Sequence, residues 1–157
     1  MRAYDFEKSI GYWMFLGSHG FFRALSTLLA PHGVTYRQSQ VLGWLALREE
    51  LTQSELATLM MIEPPSLVGV LDRMEQMKLI QRTPCAKDRR KRLIRLTDAA
   101  SGPWEKVVEA ALQVRAAAAE GLSASELKQL TGLLKRVSNN LDQFNQAGCP
   151  TAEGVNP

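Results

Sequence analysis

Residues 79–97 read LIQRTPCAKDRRKRLIRLT: two short β-prone runs, LIQRT and RLIRLT, separated by a proline and a dense block of cations. A basic hairpin accounts for this order best, with the hydrophobic residues after the cations forming a strand that pins the loop to the domain. Within it KDRRKRLIR, residues 87–95, carries six cations against one acid. Like charges this close repel, so a folded chain gathers them only if they are solvated on an exposed loop or received by a polyanion. The distribution of charge favours the second. Residues 82–95 hold seven cations and one acid, for +6, while the rest of the chain holds twelve cations and fifteen acids, for −3. The whole basic excess sits in one stretch, which is the electrostatic footprint of a nucleic-acid binder.

Before the hairpin the period is helical. Prolines are tolerated in the first turn of a helix, where their missing amide has no partner to lose, so EPP marks a start in MIEPPSLVGVLDRMEQMK. Leu67, Val70, Leu71, Met74 and Met77 then make one apolar stripe. Three further starts are written as capping boxes, Thr35/Gln38, Thr52/Glu55 and Ser123/Glu126. The first helix is expected from near Asp5 to Leu29, ended by Pro31 and Gly33 in APHG, with Phe6, Ile10, Trp13, Met14, Gly17, Phe21, Leu25 and Leu28 repeating at three and four. The second covers about 35–48 with Val41, Leu42 and Leu45 inward, and a short third lies in TQSELATLM.

Beyond Thr97 the chain is helical again. Pro103 is expected to separate a short turn from a long Ala-rich helix running from Trp104 to Glu120. In the last helix Leu127, Leu130, Leu134, Val137, Leu141 and Phe144 are spaced three, four, three, four, three, a seam that requires a facing helix. Gly148, Pro150, Gly154 and Pro157 make a disordered tail of residues 147–157 the expectation there.

Composition bounds the rest. A chain of 157 residues, 45% hydrophobic and 22% charged, reads as one globular domain. No run has the length of a membrane span, and MRAYDFEKSI has acids where a signal peptide would be apolar, so a cytoplasmic protein is expected. Cys85 and Cys149 lack metal-ligand spacing, and no metal site or cofactor is expected. Two reduced thiols are the plain reading; a thiolate at Cys85, among Lys87, Arg89 and Arg90, would have a lowered pKa and could serve as a redox switch. No motif assembles a nucleophile, a base and oxyanion donors, so an enzyme is not expected.

Helix, turn, helix and then basic hairpin is the order of a winged helix-turn-helix, a mainly α fold with a small β-hairpin wing. In such a fold the short third helix braces the fourth, whose outer face enters the major groove while the hairpin's cations reach phosphates or the minor groove. LTQSELA, PSLVGVLDRMEQMKLIQR and DRRKRLIRLT resemble the MarR family of bacterial transcription regulators, and QRTPCAKDRRKRLIRLTDAA is most similar to its SlyA branch. The sharpest motif is Asp88 and Arg90 followed by Leu96 and Thr97, placed after a helix ending LDRME. The resemblance implies a homodimer joined by its first and last helices, with two winged heads on a pseudo-palindromic DNA operator. It divides the chain into a helical dimerisation region, 1–34 and 98–146, and a DNA-binding region, 35–97. It also makes Arg90 the wing residue of the minor groove, with Asp88 holding its guanidinium through a bidentate pair.

The DNA-binding candidates are therefore Thr52, Gln53, Pro65, Ser66, Val68, Gly69, Arg73 and Gln76 on the helices and Lys87, Asp88, Arg89, Arg90, Lys91 and Arg92 on the wing. Many relatives have polar or basic side chains where this chain has Val68 and Gly69. Neither donates a hydrogen bond to a base, although Val68 can touch a thymine methyl, so readout falls to Ser66, Arg73 and Gln76. Arg73 has a plainer alternative, a surface pairing with Asp72 or Glu75. Peroxide-sensing relatives keep a cysteine in the first helix, and residues 6–29 have none. The family often binds small aromatic or phenolic acids between the dimerisation region and the heads. That implies a ligand site near His19, His32, Tyr36 and Trp44, with Arg23 or Arg37 as carboxylate partner, although core packing explains the aromatic residues equally. The competing function is a protein–protein adaptor, since winged helices also serve as interaction modules; a +6 hairpin joined to a helix start that can receive phosphate weighs against it.

Overall fold

The computed structural model describes residues 5–85 and 91–147. These form six helices, α1 Ile10–Leu29, α2 Tyr36–Arg48, α3 Gln53–Leu59, α4 Pro64–Gln76, α5 Ser101–Ala118 and α6 Ala124–Gln146. Three strands, β1 Glu50–Thr52, β2 Ile80–Pro84 and β3 Arg92–Leu96, make an antiparallel sheet in the order β1-β3-β2. The fold is mainly helical with a winged helix-turn-helix at its centre. The chain divides into two compact units, Met1–Ala118 and Ala119–Pro157.

Each of the three capping boxes forms. Thr35, Thr52 and Ser123 accept from the backbone amide three residues on, and Gln38, Glu55 and Glu126 reach back to the cap's own amide. α4 begins at Pro64 and Pro65, as EPP indicates. α1 ends at Leu29, one 3-10 turn follows at Ala30–His32, and Gly33 closes it at a φ of 67°, the left-handed region where a glycine carries no Cβ penalty.

One core holds the first unit together. Val41, Leu42 and Leu45 of α2, Leu56 of α3, Leu67, Leu71 and Met74 of α4 and Ile80 and Ile94 of the sheet are all buried. Leu25 and Leu29 of α1 and Val107, Ala110 and Val114 of α5 join the same cluster. The polar groups that enter it are satisfied: Gln38 accepts from Thr35 and Ser39 donates to the Tyr36 carbonyl at 2.7 Å. In the second unit α6 buries none of its residues.

The structure departs from the sequence reading in four places. The first helix starts at Ile10, after a 3-10 turn at Phe6–Lys8 held by the Trp13 indole, which donates to the Glu7 carbonyl at 2.8 Å. Of its expected apolar stripe, Phe6, Ile10, Trp13 and Phe21 are exposed, because α5 covers the opposite end of the helix, at Leu25 and Leu29. Met77 lies past the end of α4 and is exposed, since the helix stops at Gln76 and the chain turns at Lys78 with a φ of 57°. Pro103 does not break its helix: α5 starts at Ser101, so the proline falls in the first turn, where its missing amide is harmless.

Candidate nucleic-acid interface

α4 presents two different faces. Leu67, Leu71 and Met74 point into the core, which turns Pro65, Ser66, Val68, Gly69, Arg73 and Gln76 outward, all of them exposed. The Arg73 side chain makes no hydrogen bond or ion pair among the described residues, so the pairing with Asp72 or Glu75 that its sequence neighbours suggest does not form. Those two acids are held by another residue. Arg82 of β2 donates through Nη1 to Glu75 Oε2 at 2.8 Å and through Nη2 to Asp72 Oδ1 at 2.7 Å.

The wing root is fixed by the register of β2 on β3, from Ile80 opposite Leu96 to Pro84 opposite Arg92. β1 pairs along the other edge of β3, and Arg95 is bound there to Glu50 across the pair, its Nε donating at 2.6 Å. Two cations of the basic stretch, Arg82 and Arg95, are thus structural. Lys91 and Arg92, by contrast, are exposed. Leu96 and Thr97, half of the motif singled out above, close the base of the hairpin: the Thr97 amide donates to the Leu79 carbonyl at 3.0 Å and its hydroxyl to the Lys78 carbonyl. Lys87, Asp88, Arg89 and Arg90 lie outside the described residues, as do Cys149 and residues 148–157.

Thr52 and Gln53 are engaged within the head. The Thr52 hydroxyl donates to Glu55 at 2.7 Å, and the Gln53 amide donates to the Pro64 carbonyl at 3.2 Å, tying the start of α3 to the start of α4. Hydrogen bonds from the Thr52 backbone and hydroxyl hold the Glu55 carboxyl below its ordinary pKa. A cleft of about 570 Å³ opens between these residues and the wing root, lined by Thr52, Gln53, Val68, Asp72, Lys91 and Arg92 among others. α4, α3 and the wing therefore meet around one concave, cation-bearing surface. Cys85, half-buried with a free thiol, directly follows β2, its amide bonded to the Lys91 carbonyl at 3.0 Å.

The candidate ligand residues are more scattered. His19 stacks on Phe15 with ring centroids 6.1 Å apart, while Tyr36 meets Phe22 at 4.8 Å. Burial pushes the Tyr36 phenol up, and neighbouring Arg37, itself bonded to Gln40, opposes the shift. Trp44 packs against the core, and His32 is exposed. Arg23 lines a groove of about 460 Å³ between α1 and α5 with Gly20, Ala24, Thr27 and Gln113. Among the described residues no group of three His, Cys, Asp or Glu could hold a metal ion, and no helix is long and apolar enough to cross a membrane.

Sequence reasoning missed two things here. β1 is three residues long and exists through its pairing with β3, which no local pattern announces. Arg82 counts as one more cation in the basic stretch until the fold brings the LDRME acids alongside it. The E in position three after Asp72, with an Arg shortly beyond the helix end, was the available signal.

Comparison with known proteins agrees with this geometry. The MarR family model matches residues 32–91, from the end of the first helix into the wing. A cysteine-to-serine mutant of MarR from E. coli, solved in complex with operator DNA, is 25% identical with a TM-score of 0.75, over 82% of this chain and 92% of that one. Likenesses of fold extend to the transcriptional repressor CouR bound to a 23-mer DNA duplex (24% identity, TM-score 0.77, 88% of this chain and 98% of that one). They extend also to BpsR of Bordetella bronchiseptica, whose DNA binding is regulated by 6-hydroxynicotinic acid (23% identity, TM-score 0.77, 87% and 98%). Members of the MarR family are transcription regulators, not enzymes. The MarR family model thus matches 32–91 by sequence, and the described chain has the winged-helix fold of the solved MarR structures.

Proposed function

We propose that this protein is a DNA-binding transcription regulator of the MarR type that acts as a homodimer on a pseudo-palindromic operator. The observation that carries the reading is the outer face of α4. Its side chains Ser66, Arg73 and Gln76 are exposed, and Arg73 is committed to nothing among the described residues. Lys91 and Arg92 of the same head are exposed as well, so that α4 reads base edges while the wing root meets phosphates. Arg90, outside the described residues, is the wing residue we assign to the minor groove, with Asp88 as its positioning partner. The operator-DNA complex of the E. coli MarR mutant supports the partner class.

The dimerisation region combines 1–34 with 98–146. Exposed Ile10, Trp13 and Phe21 on α1 and the apolar seam of α6 are the surfaces a second copy would cover. We infer further that a small aromatic or phenolic acid modulates binding, in keeping with the ligand of BpsR, through the neighbourhood of His19, Arg23, His32, Tyr36, Arg37 and Trp44. From the resemblance of the wing motif we assign the chain to the SlyA branch, and the cytoplasm is the compartment in which such a regulator meets DNA. Selection of bound fragments from a random duplex pool tests the central reading. Enrichment of a two-fold symmetric sequence is expected, and recovery of an unenriched pool would defeat it.

A further inference from the structure

We propose that Arg82 is a positioning residue of the DNA-binding head: it fastens the wing root to α4 and masks two carboxylates that would otherwise oppose the DNA phosphates. The inference rests on the DNA-binding reading above. Arg82 sits mid-strand on β2, opposite Ile94, and its guanidinium reaches Asp72 at 2.7 Å and Glu75 at 2.8 Å. The two acids are three residues apart on α4 and so share one side of the helix. Their side chains are 48% and 42% exposed, whereas that of Arg82 is 20% exposed. The carboxylates are thus more exposed than the cation that neutralises them, although Arg82 lines the same cleft as Asp72. Asp72 also lines the cleft shared with Lys91 and Arg92, the approach a phosphate would take.

Geometry and charge act together in this arrangement. A planar fork serves two carboxylates at once, which a single ammonium does with poorer geometry. The bridge joins the helix that reads bases to the strand that carries the wing, fixing one relative to the other. Left unpaired, Asp72 and Glu75 would place two negative charges beside α4, where each phosphate brings another.

The test is a set of anisotropy titrations with the full chain, using a fluorescent operator duplex from the selection and a scrambled duplex at several salt concentrations. Circular-dichroism melts set a temperature at which every variant is folded. Arg82→Ala is expected to weaken binding to both duplexes by about tenfold at low salt. Combining it with Asp72→Asn and Glu75→Gln restores scrambled-duplex affinity to within about twofold, since the repulsion is gone, but not the preference for operator, since the wing is no longer fastened. Loss of a mere structural support would not be rescued by neutralising acids. Asp72→Asn with Glu75→Gln alone frees the Arg82 cation and tightens scrambled-duplex binding; this pair carries the test if Arg82→Ala does not fold. Unchanged binding in Arg82→Ala, or in the double variant, overturns the proposal. A triple variant as weak as Arg82→Ala, with a log–log salt slope shallower by about 0.9, means Arg82 itself touches a phosphate and also overturns it. Wild-type protein that binds neither duplex defeats the DNA reading and the inference with it, whereas wild type that binds normally confines any failure to Arg82.

Discussion

α4 and α6 are both amphipathic helices with apolar residues three and four apart, yet their apolar stripes meet opposite fates. Leu67, Leu71 and Met74 of α4 are 0% exposed, whereas Leu130, Leu134, Leu141 and Phe144 of α6 are between 44% and 52% exposed. Nothing in the spacing distinguishes them. α4 is covered by α2, α3 and β2, elements close to it in sequence, and the core of the first unit closes over it. The lesson is that periodicity specifies a stripe and not its cover. For α6 the cover we propose is a second copy of the chain. α1 shows both outcomes within one helix, with Leu25 and Leu29 buried and Ile10 and Trp13 exposed.

The largest expected effects test this contrast directly. Leu71→Ala removes a fully buried side chain from the head and is expected to cost about 2–5 kcal/mol, read from urea unfolding. The loss should be the same at every protein concentration. Leu134→Lys acts on the other stripe: it would bury an unpaired charge in the dimer and should bring the sedimenting mass down to that of the single 17.5 kDa chain. Its effect on the melting temperature should depend on concentration, as association linkage requires. Wild-type protein that sediments as a monomer at micromolar concentration would break the comparison, leaving α6 uncovered.

Within α4 the contrast is between inner and outer faces. Arg73→Ala is expected to leave the unfolding free energy within about 0.5 kcal/mol of wild type, as exposed sites do. If Arg73 reads a guanine, the substitution costs roughly 1–3 kcal/mol of binding at one base position and relaxes preference there. A uniform loss across all sequences would make Arg73 a phosphate contact instead.

What could be read from the sequence divides along the same line. Capping boxes and the Pro64–Pro65 start are local chemistry, satisfied within one turn, and they fixed the helix starts at Thr35, Thr52 and Ser123 to the residue. The outward face of α4 was legible because Leu67, Leu71 and Met74 face inward and leave the rest outward. Elements that depend on distant partners were not. β1 needs Arg95 opposite Glu50, and Arg82 changes from a DNA cation to an internal clamp once Asp72 and Glu75 come beside it. Trp13 and Ile10 fit a helical stripe as well as Leu25 does, and sequence spacing could not say that they stay exposed.

Gly69 offers a smaller and sharper probe of the outer face. A Cβ built there meets nothing within 4 Å, so the fold has no steric need for glycine at that position. In a helix interior the residue costs roughly 0.5–1 kcal/mol relative to alanine. Gly69→Ala should therefore raise stability by about that amount in thermal or urea unfolding. If DNA approaches the bare backbone there, operator affinity should fall as stability rises. A stabilised variant that binds as well as wild type would show that this stretch of α4 is not approached closely.

The smallest effect compares the matching capping boxes at the starts of α3 and α6. Hydrogen bonds from Thr52 hold the Glu55 carboxyl below its ordinary pKa, led by the bond from the backbone amide; at Glu126 the Ser123 hydroxyl contributes most. Both shifts are downward on folding. Each box therefore contributes stability that is present above the unfolded-state carboxylate pKa and is lost as pH falls through the lower folded-state value. Both glutamates are solvent-screened, so the contribution of each box is small. Glu55→Gln keeps an acceptor for the Thr52 amide and removes the titration. Between neutral pH and about pH 3, below the ordinary carboxylate range, its melting temperature should fall less than that of wild type, with Glu126→Gln showing the same flattening. If the glutamine variants lose stability on acidification as fully as wild type does, the acid sensitivity does not come from these two capping boxes.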